Sequence, residues 1–129
     1  MKFCIVVYAA PYSSEAASTA LRFTKSLLES GHDITRVFFF SDGVHNASSL
    51  AITPQDEPSI QMQWDKLIKQ YDLDAVACVS SAIKRGIINA QEANRYDLES
   101  VSINDSSEIA GLGQLVDAVL LSDRTVNFG

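Results

Sequence analysis

A chain of 129 residues, 47% apolar and 20% charged, is long enough for one domain with a sizeable core and too apolar to be disordered. Its formal net charge of −6 argues against a direct grip on nucleic acid, because neutralising phosphates takes a basic surface. No apolar run has membrane-spanning length, and Met1-Lys2-Phe3 leads into a strand-like run without a signal-peptide pattern, so a cytoplasmic protein with no membrane partner is expected.

Phe3 to Tyr8 is almost wholly apolar, the composition of a central parallel strand covered on both faces, and Pro11 closes it. Ser13 or Ser14 is placed to cap a helix with Glu15 in its first turn. Ala17, Ala20, Leu21, Thr24, Leu27 and Leu28 keep helical spacing, and Gly31 supplies the stop. Ile34 to Phe40 reads as the second strand, completing a βαβ unit with a right-handed crossover. The following loop, Ser41 to Ala47, belongs to the carboxyl edge of the sheet, where parallel α/β proteins build their crevices. Asp42-Gly43 is read there as a turn, and His45 as a surface histidine in preference to an assistant for a thiol.

A polar connector, Ser48 to Glu57, precedes a helix for which Asp56 and Pro58 look like cap and first-turn residues. Ile60, Trp64, Leu67, Ile68 and Tyr71 form one stripe of that helix and read as core. A third strand leads to Cys78, and a short helix ends near Gly86. Asn89-Ala90-Gln91-Glu92 has the spacing of a capping box, opening a helix that fades at Tyr96-Asp97. Leu98 to Ile109 is expected to hold a fourth strand. Gly111-Leu112-Gly113 opens a last helix with Leu112, Leu115, Val116, Val119 and Leu120 expected to face inward, and Asp123 to Phe128 forms a last strand. The alternation predicts a single domain over residues 1–129. Its fold class is α/β, a three-layer α/β/α sandwich around a mostly parallel sheet of four to five strands, flavodoxin-like in general outline.

Chemistry is expected where the third strand ends. Leu73 to Gly86 begins as a short apolar run and turns at Cys78 into small polar residues, then a helical pattern. A thiol at that junction sits among unpaired backbone N–H groups, which favour its anion, and Lys84 and Arg85 stand one turn further on. Two readings stand side by side: a reactive thiol, or a small buried hydrophobe, as most free cysteines are. Cys4, inside the first strand, reads as packing. No C-x-x-C occurs, and His32 and His45 offer no zinc-ligand spacing, so no metal site is expected. A lone Gly111-Leu112-Gly113 lacks the third glycine and the early strand of a dinucleotide fingerprint.

The segment Cys78-Val79-Ser80-Ser81-Ala82-Ile83-Lys84-Arg85-Gly86 resembles the active-cysteine segment of the DsrE family, most closely its TusD-type branch. The likeness runs through Phe38-Phe39-Phe40 with Gly43-Val44 and Asn46-Ala47, through Ser107 to Leu115, and through Asp123-Arg124. It implies a sulfurtransferase subunit that carries a persulfide on Cys78, with Ser80, Ser81, Lys84 and Arg85 in support and no cofactor. It also implies TusB-like and TusC-like subunits in a dimer of heterotrimers, a TusA-like donor and a TusE-like acceptor. The sulfur would end in the 2-thio group of a tRNA wobble uridine, or, in a sister complex, in dissimilatory sulfur oxidation. Two other readings compete: a non-catalytic structural subunit of such a hexamer, and a flavodoxin-like ligand binder. The loop Ala9 to Ser14, which has no glycine and no phosphate cradle, speaks against the second. Large apolar residues in excess of what a small sheet needs (Phe38, Phe39, Phe40, Ile87, Ile88, Val101, Ile103) point to an oligomer.

Overall fold

The computed structural model describes all 129 residues. Five strands lie in one sheet, every pairing parallel: β1 (Lys2–Val7), β2 (Asp33–Phe39), β3 (Ala75–Cys78), β4 (Glu108–Ala110) and β5 (Arg124–Phe128). Their order across the sheet is β4-β3-β2-β1-β5. The layering is the one expected from sequence, while the order differs from the 2-1-3-4-5 pattern of flavodoxins. The chain steps outward from β1 to β4 and then returns across the sheet to pair β5 with β1.

That return decides how the helices are distributed. The steps from β1 to β4 run one way, so right-handed crossovers place their helices on one face. There α1 (Ala16–Glu29), α2 (Ile60–Tyr71) and the six-residue α3 (Val79–Lys84) cover Phe3, Ile5, Val7, Val37, Phe39, Ala75 and Ala77. The last crossover runs the opposite way and puts α5 (Gly113–Leu121) on the other face. That second face carries Cys4, Val6, Phe38, Val76 and Cys78, against which Ala118 and Leu115 pack. A further helix, α4 (Ala90–Arg95), follows α3, and no helix in the chain is long and apolar enough to cross a membrane.

The sheet's alternation follows from strand geometry: successive residues of a buried parallel strand feed two apolar layers. The stripe on α2 is core, as expected. Trp64 is buried, stands edge-on to Phe39 at 5.4 Å, and donates its indole N–H to Asn46 Oδ1 at 3.1 Å. Removing such a ring would cost about 3–5 kcal/mol.

Several local expectations are corrected. The cap of α2 is Ser59, whose Oγ accepts from Met62 N at 3.2 Å, and Asp56 and Pro58 lie outside the helix. At α1 the N-cap position falls on Glu15, with Ser14 Oγ accepting from Ala16 N at 3.3 Å. Asn89 does cap α4, taking Glu92 N at 2.8 Å, while Glu92 turns its carboxylate to Arg95 instead of back to the cap.

The apolar residues expected to be surplus are mostly core: Phe38, Phe39, Ile87, Ile88 and Ile103 are buried, and only Val101 is well exposed. The surplus lies on α5. Val116, Val119, Leu120 and Leu121 are exposed, as is Leu112 just before the helix, so the inward stripe expected there reduces to half-buried Leu115 and buried Ala118. A nine-residue helix with apolar residues all round satisfies the sheet with one side and leaves the other bare.

Candidate functional site

Cys78 is the last residue of β3 and the residue before α3. Strand alternation turns its side chain to the α5 face, onto Phe38 and Val76, with Phe40, Ala110 and Leu115 around them. The chain then bends into α3, whose first turn carries Ser80 and Ser81. Ser80 Oγ stands 3.6 Å from Cys78 Sγ.

Burial alone pushes the Cys78 thiol up, but hydrogen bonds from the N–H and hydroxyl groups of Ser81 and Ser80 outweigh it and hold the thiol below its ordinary value. Hydrogen bonding to the sulfur, with Ser80 Oγ in contact at 3.6 Å, stabilises its anion directly. A six-residue helix adds little dipole, so these contacts replace the helix-end field anticipated from sequence.

Cys4 is the counterpart. It lies inside β1 on the same face, under Ala118 of α5, and burial pushes its thiol up, with the nearby Arg36 guanidinium offsetting only part of the effect. Both cysteines are free thiols. Both are buried, 1% exposed for Cys78 and 0% for Cys4. What separates them is hydrogen bonding.

The sequence of the DsrE/DsrF-like family matches residues 1–128. The chain belongs to that family. It is 44% identical over 129 residues to the DsrE protein of Allochromatium vinosum, covering 100% of this chain and 99% of that one. It is 43% identical over 129 residues to a protein of Pseudomonas aeruginosa named sulfurtransferase TusD homolog, covering 100% and 98%. Among solved structures, the YchN protein of E. coli superposes with a TM-score of 0.78 at 27% identity, covering 99% of each chain.

In this DsrE-like chain the other residues singled out from sequence fall into two groups. Ser80 meets the Cys78 sulfur directly, and Ser81, next along α3, takes the Ser41 N–H on its hydroxyl at 3.0 Å. Lys84 and Arg85 do not reach the sulfur: Lys84 is exposed, and Arg85 sends Nε to Asp42 Oδ1 at 2.8 Å and Nη1 to the Ser81 carbonyl at 3.2 Å. Neither cation figures among the groups that lower the Cys78 thiol. His45 likewise stays out of the contact, with its carbonyl taking the Gln61 side-chain amide at 3.3 Å.

Three residues prove structural in ways the sequence did not show. Gly43 lies against the end of β1, where a Cβ would meet the Val7 carbonyl oxygen at 1.8 Å, so only glycine lets the loop approach. Arg36 spans β2 and its surroundings, with Nε to Asp74 Oδ2 at 3.0 Å and Nη1 to the Gln114 carbonyl at 2.7 Å, tying α5 to the sheet. Asn46 pins the same loop as Gly43 by donating to the carbonyls of Ala9 and Gly43 at 3.0 and 2.9 Å.

Surface hollows of about 220, 270 and 350 Å³ exist, and none is lined by Cys78, Ser80 or Ser81. The thiol therefore has no small-molecule pocket beside it, and no group of three or more His, Cys, Asp or Glu is arranged to hold a metal.

Proposed function

We propose that this chain is a sulfurtransferase subunit in which Cys78 accepts sulfur as a persulfide and hands it to an acceptor protein. The observation that carries the reading is the place of Cys78 at the junction of β3 and α3, with Ser80 Oγ at 3.6 Å from its sulfur and its thiol held below the ordinary value, which favours a thiolate at the carboxyl edge of the sheet. The relatives' names, DsrE and sulfurtransferase TusD homolog, support it.

The chemistry is a pair of displacements. The Cys78 thiolate attacks the terminal sulfur of a donor persulfide, a new S–S bond forms, and the donor leaves as a thiolate. An acceptor thiolate then attacks the terminal sulfur on Cys78 and regenerates the Cys78 thiolate. No electrons are gained or lost overall, so one cysteine suffices. The Ser80 and Ser81 donors hold the anion of the resting thiol and of the leaving thiolate alike.

The finer assignment follows the family resemblance: TusB-like and TusC-like subunits as neighbours, a TusA-like donor, a TusE-like acceptor, and 2-thiolation of a tRNA wobble uridine as the destination. The bare apolar side of α5 supports a subunit that works in a complex, since a contiguous exposed apolar surface marks an interaction site. The −6 charge supports delivery through proteins without direct tRNA contact.

The test is incubation with a persulfidated donor protein, followed by mass spectrometry of the Cys78 peptide. A gain of one sulfur that a reductant removes is expected, and its absence overturns the reading. The near-complete burial of Cys78 favours a second reading, a structural subunit with an inert thiol. A Cys78 that neither alkylates nor takes up sulfur, with its partner subunits present, would establish that one instead.

A further inference from the structure

The walls around Cys78 are not equally fixed. Its side chain packs with buried Phe38 and Val76, and the partly exposed Phe40, Ala110 and Leu115 complete the enclosure. Phe40 is held on three sides: its N–H donates to the Val7 carbonyl at 3.0 Å, and its ring stands edge-on to Tyr8 at 5.6 Å and stacks on Phe38 at 6.4 Å. Ala110 lies opposite Cys78 in the β3–β4 ladder. Leu115 belongs to the first turn of α5, and the fold holds that turn lightly. No side chain caps the helix start, so its leading N–H groups lack the partners that secure a helix end. Gly111 and Gly113 flank Leu112 where β4 passes into α5, and a Cβ at either would meet nothing within 4 Å. Neither crowding nor a left-handed backbone calls for glycine at these two positions, and what the pair supplies is freedom at the join. The one polar tie is Arg36, whose Nη1 donates to the carbonyl of Gln114, the residue before Leu115, at 2.7 Å and stands 3.8 Å from Asp117.

We propose that the first turn of α5 is a door over the Cys78 thiol, with Leu115 as its panel, the Gly111–Gly113 join as its hinge and Arg36 as its latch. The inference rests on Cys78 being the sulfur carrier, and it answers a demand of that chemistry. Displacement at sulfur needs an incoming thiolate in contact with the sulfur it attacks, and a thiol 1% exposed offers no approach. The helix starts at the carboxyl edge, after the strand residue opposite Cys78, and runs back so that Ala118 lies on Cys4. Opening at its first turn therefore uncovers one cysteine and leaves the other covered. Closed, the door keeps small thiols of the surrounding solution from discharging a carried sulfur, so that transfer waits for a protein that displaces Leu115.

The test is the rate of iodoacetamide labelling of the full chain in rising urea at fixed pH, read on the Cys78 and Cys4 peptides by mass spectrometry. Local opening exposes little surface and responds weakly to urea, whereas global unfolding responds steeply. Below the unfolding transition Cys78 is expected to label by a shallow route and Cys4 by the steep one alone. Leu115→Ala should speed the shallow route about tenfold, the scale of the contacts that a half-buried leucine loses. Leu115→Met, which keeps the volume, should return it toward the wild-type rate. Gly113→Ala should slow it about threefold, because alanine favours the closed helix over the open turn. Arg36→Lys keeps a charge beside Asp74 without the fork that also reaches Gln114, and should speed it about threefold.

Steep labelling of both cysteines overturns the proposal, since Cys78 is then reached only by unfolding. A shallow route shared by Cys4 overturns it as well, because the whole helix would be lifting. So does a shallow route whose rate is indifferent to residues 113 and 115. The relay fails separately: a chain whose Cys78 labels as described but takes no sulfur from a persulfidated donor protein keeps the door and loses the persulfide. A chain that takes up sulfur on Cys78 while its labelling ignores Leu115→Ala keeps the relay and loses the door.

Discussion

Cys4 and Cys78 occupy the same face of the same sheet and are equally hidden from water, yet they are different chemical groups. Cys4 sits mid-strand, where its backbone groups are spent on two ladders and its sulfur meets Val6 and Ala118. Cys78 sits where a strand ends and a helix begins with Val79, Ser80 and Ser81, and the Ser80 hydroxyl stands 3.6 Å from the sulfur. Burial without donors raises a thiol pKa, and burial with donors lowers it. Strand position decides which of the two a cysteine becomes.

The hardest blow to this comparison comes from exchanging each sulfur for oxygen. Cys78→Ser should abolish sulfur uptake from a persulfidated donor, and Cys4→Ser should retain it, both read as sulfur mass on the tryptic peptides. Sulfur transfer through a Cys78→Ser chain would remove the distinction altogether.

Stability should order the same two variants the other way. A serine hydroxyl at position 4 is buried among Val6 and Ala118 and should cost about 1–3 kcal/mol in urea unfolding if it finds no partner. At position 78 a hydroxyl finds Ser80 beside it, and a smaller loss is expected.

The pH dependence of stability sharpens the contrast further. The raised Cys4 value means that its thiolate is disfavoured in the fold, so stability falls as pH rises above the ordinary thiol value, and Cys4→Ser should blunt that alkaline loss. Cys78 has the opposite sign: its lowered value contributes stability that is present above the unfolded thiol value and lost as pH falls through the folded one. Urea midpoints between neutral and alkaline pH, for wild type and each serine variant, report both slopes. The smallest effect belongs to Ser80→Ala, which removes the hydroxyl 3.6 Å from the sulfur and should raise the Cys78 labelling midpoint by a few tenths of a pH unit, about the worth of part of one hydrogen bond.

Much of this was legible in the chain. Strand and helix signals alternate cleanly, and the change from apolar Ala75-Val76-Ala77 to Val79-Ser80-Ser81 marks the strand end that matters. Three things were not. The exposure of α5 was hidden because an apolar helix looks the same in sequence whether its second side is covered or bare, and only the strand order shows that no further layer of this chain covers it. Arg85 was readable as a charge near Cys78 but not as the partner of Asp42, which is 43 residues away and arrives only because β2 and β3 are neighbours. Gly43 read as a turn residue, whereas its need for glycine comes from the Val7 carbonyl, a contact between segments that no local pattern encodes.

The strand order also dictates a timetable for synthesis. β1 is made first and pairs with β2 early, but its other ladder, from Phe3–Arg124 to Val7–Phe128, waits for the strand made last of the five. During translation the nascent sheet therefore carries an open edge at β1, with unpaired backbone groups beside an apolar strand. The wait spans more than a hundred residues, and long-range parallel pairing is slow to form once its partners exist. A nascent chain released or cleaved before residue 124 keeps that edge, so the ribosome-bound stage is when this protein most needs protection from pairing with another copy of itself.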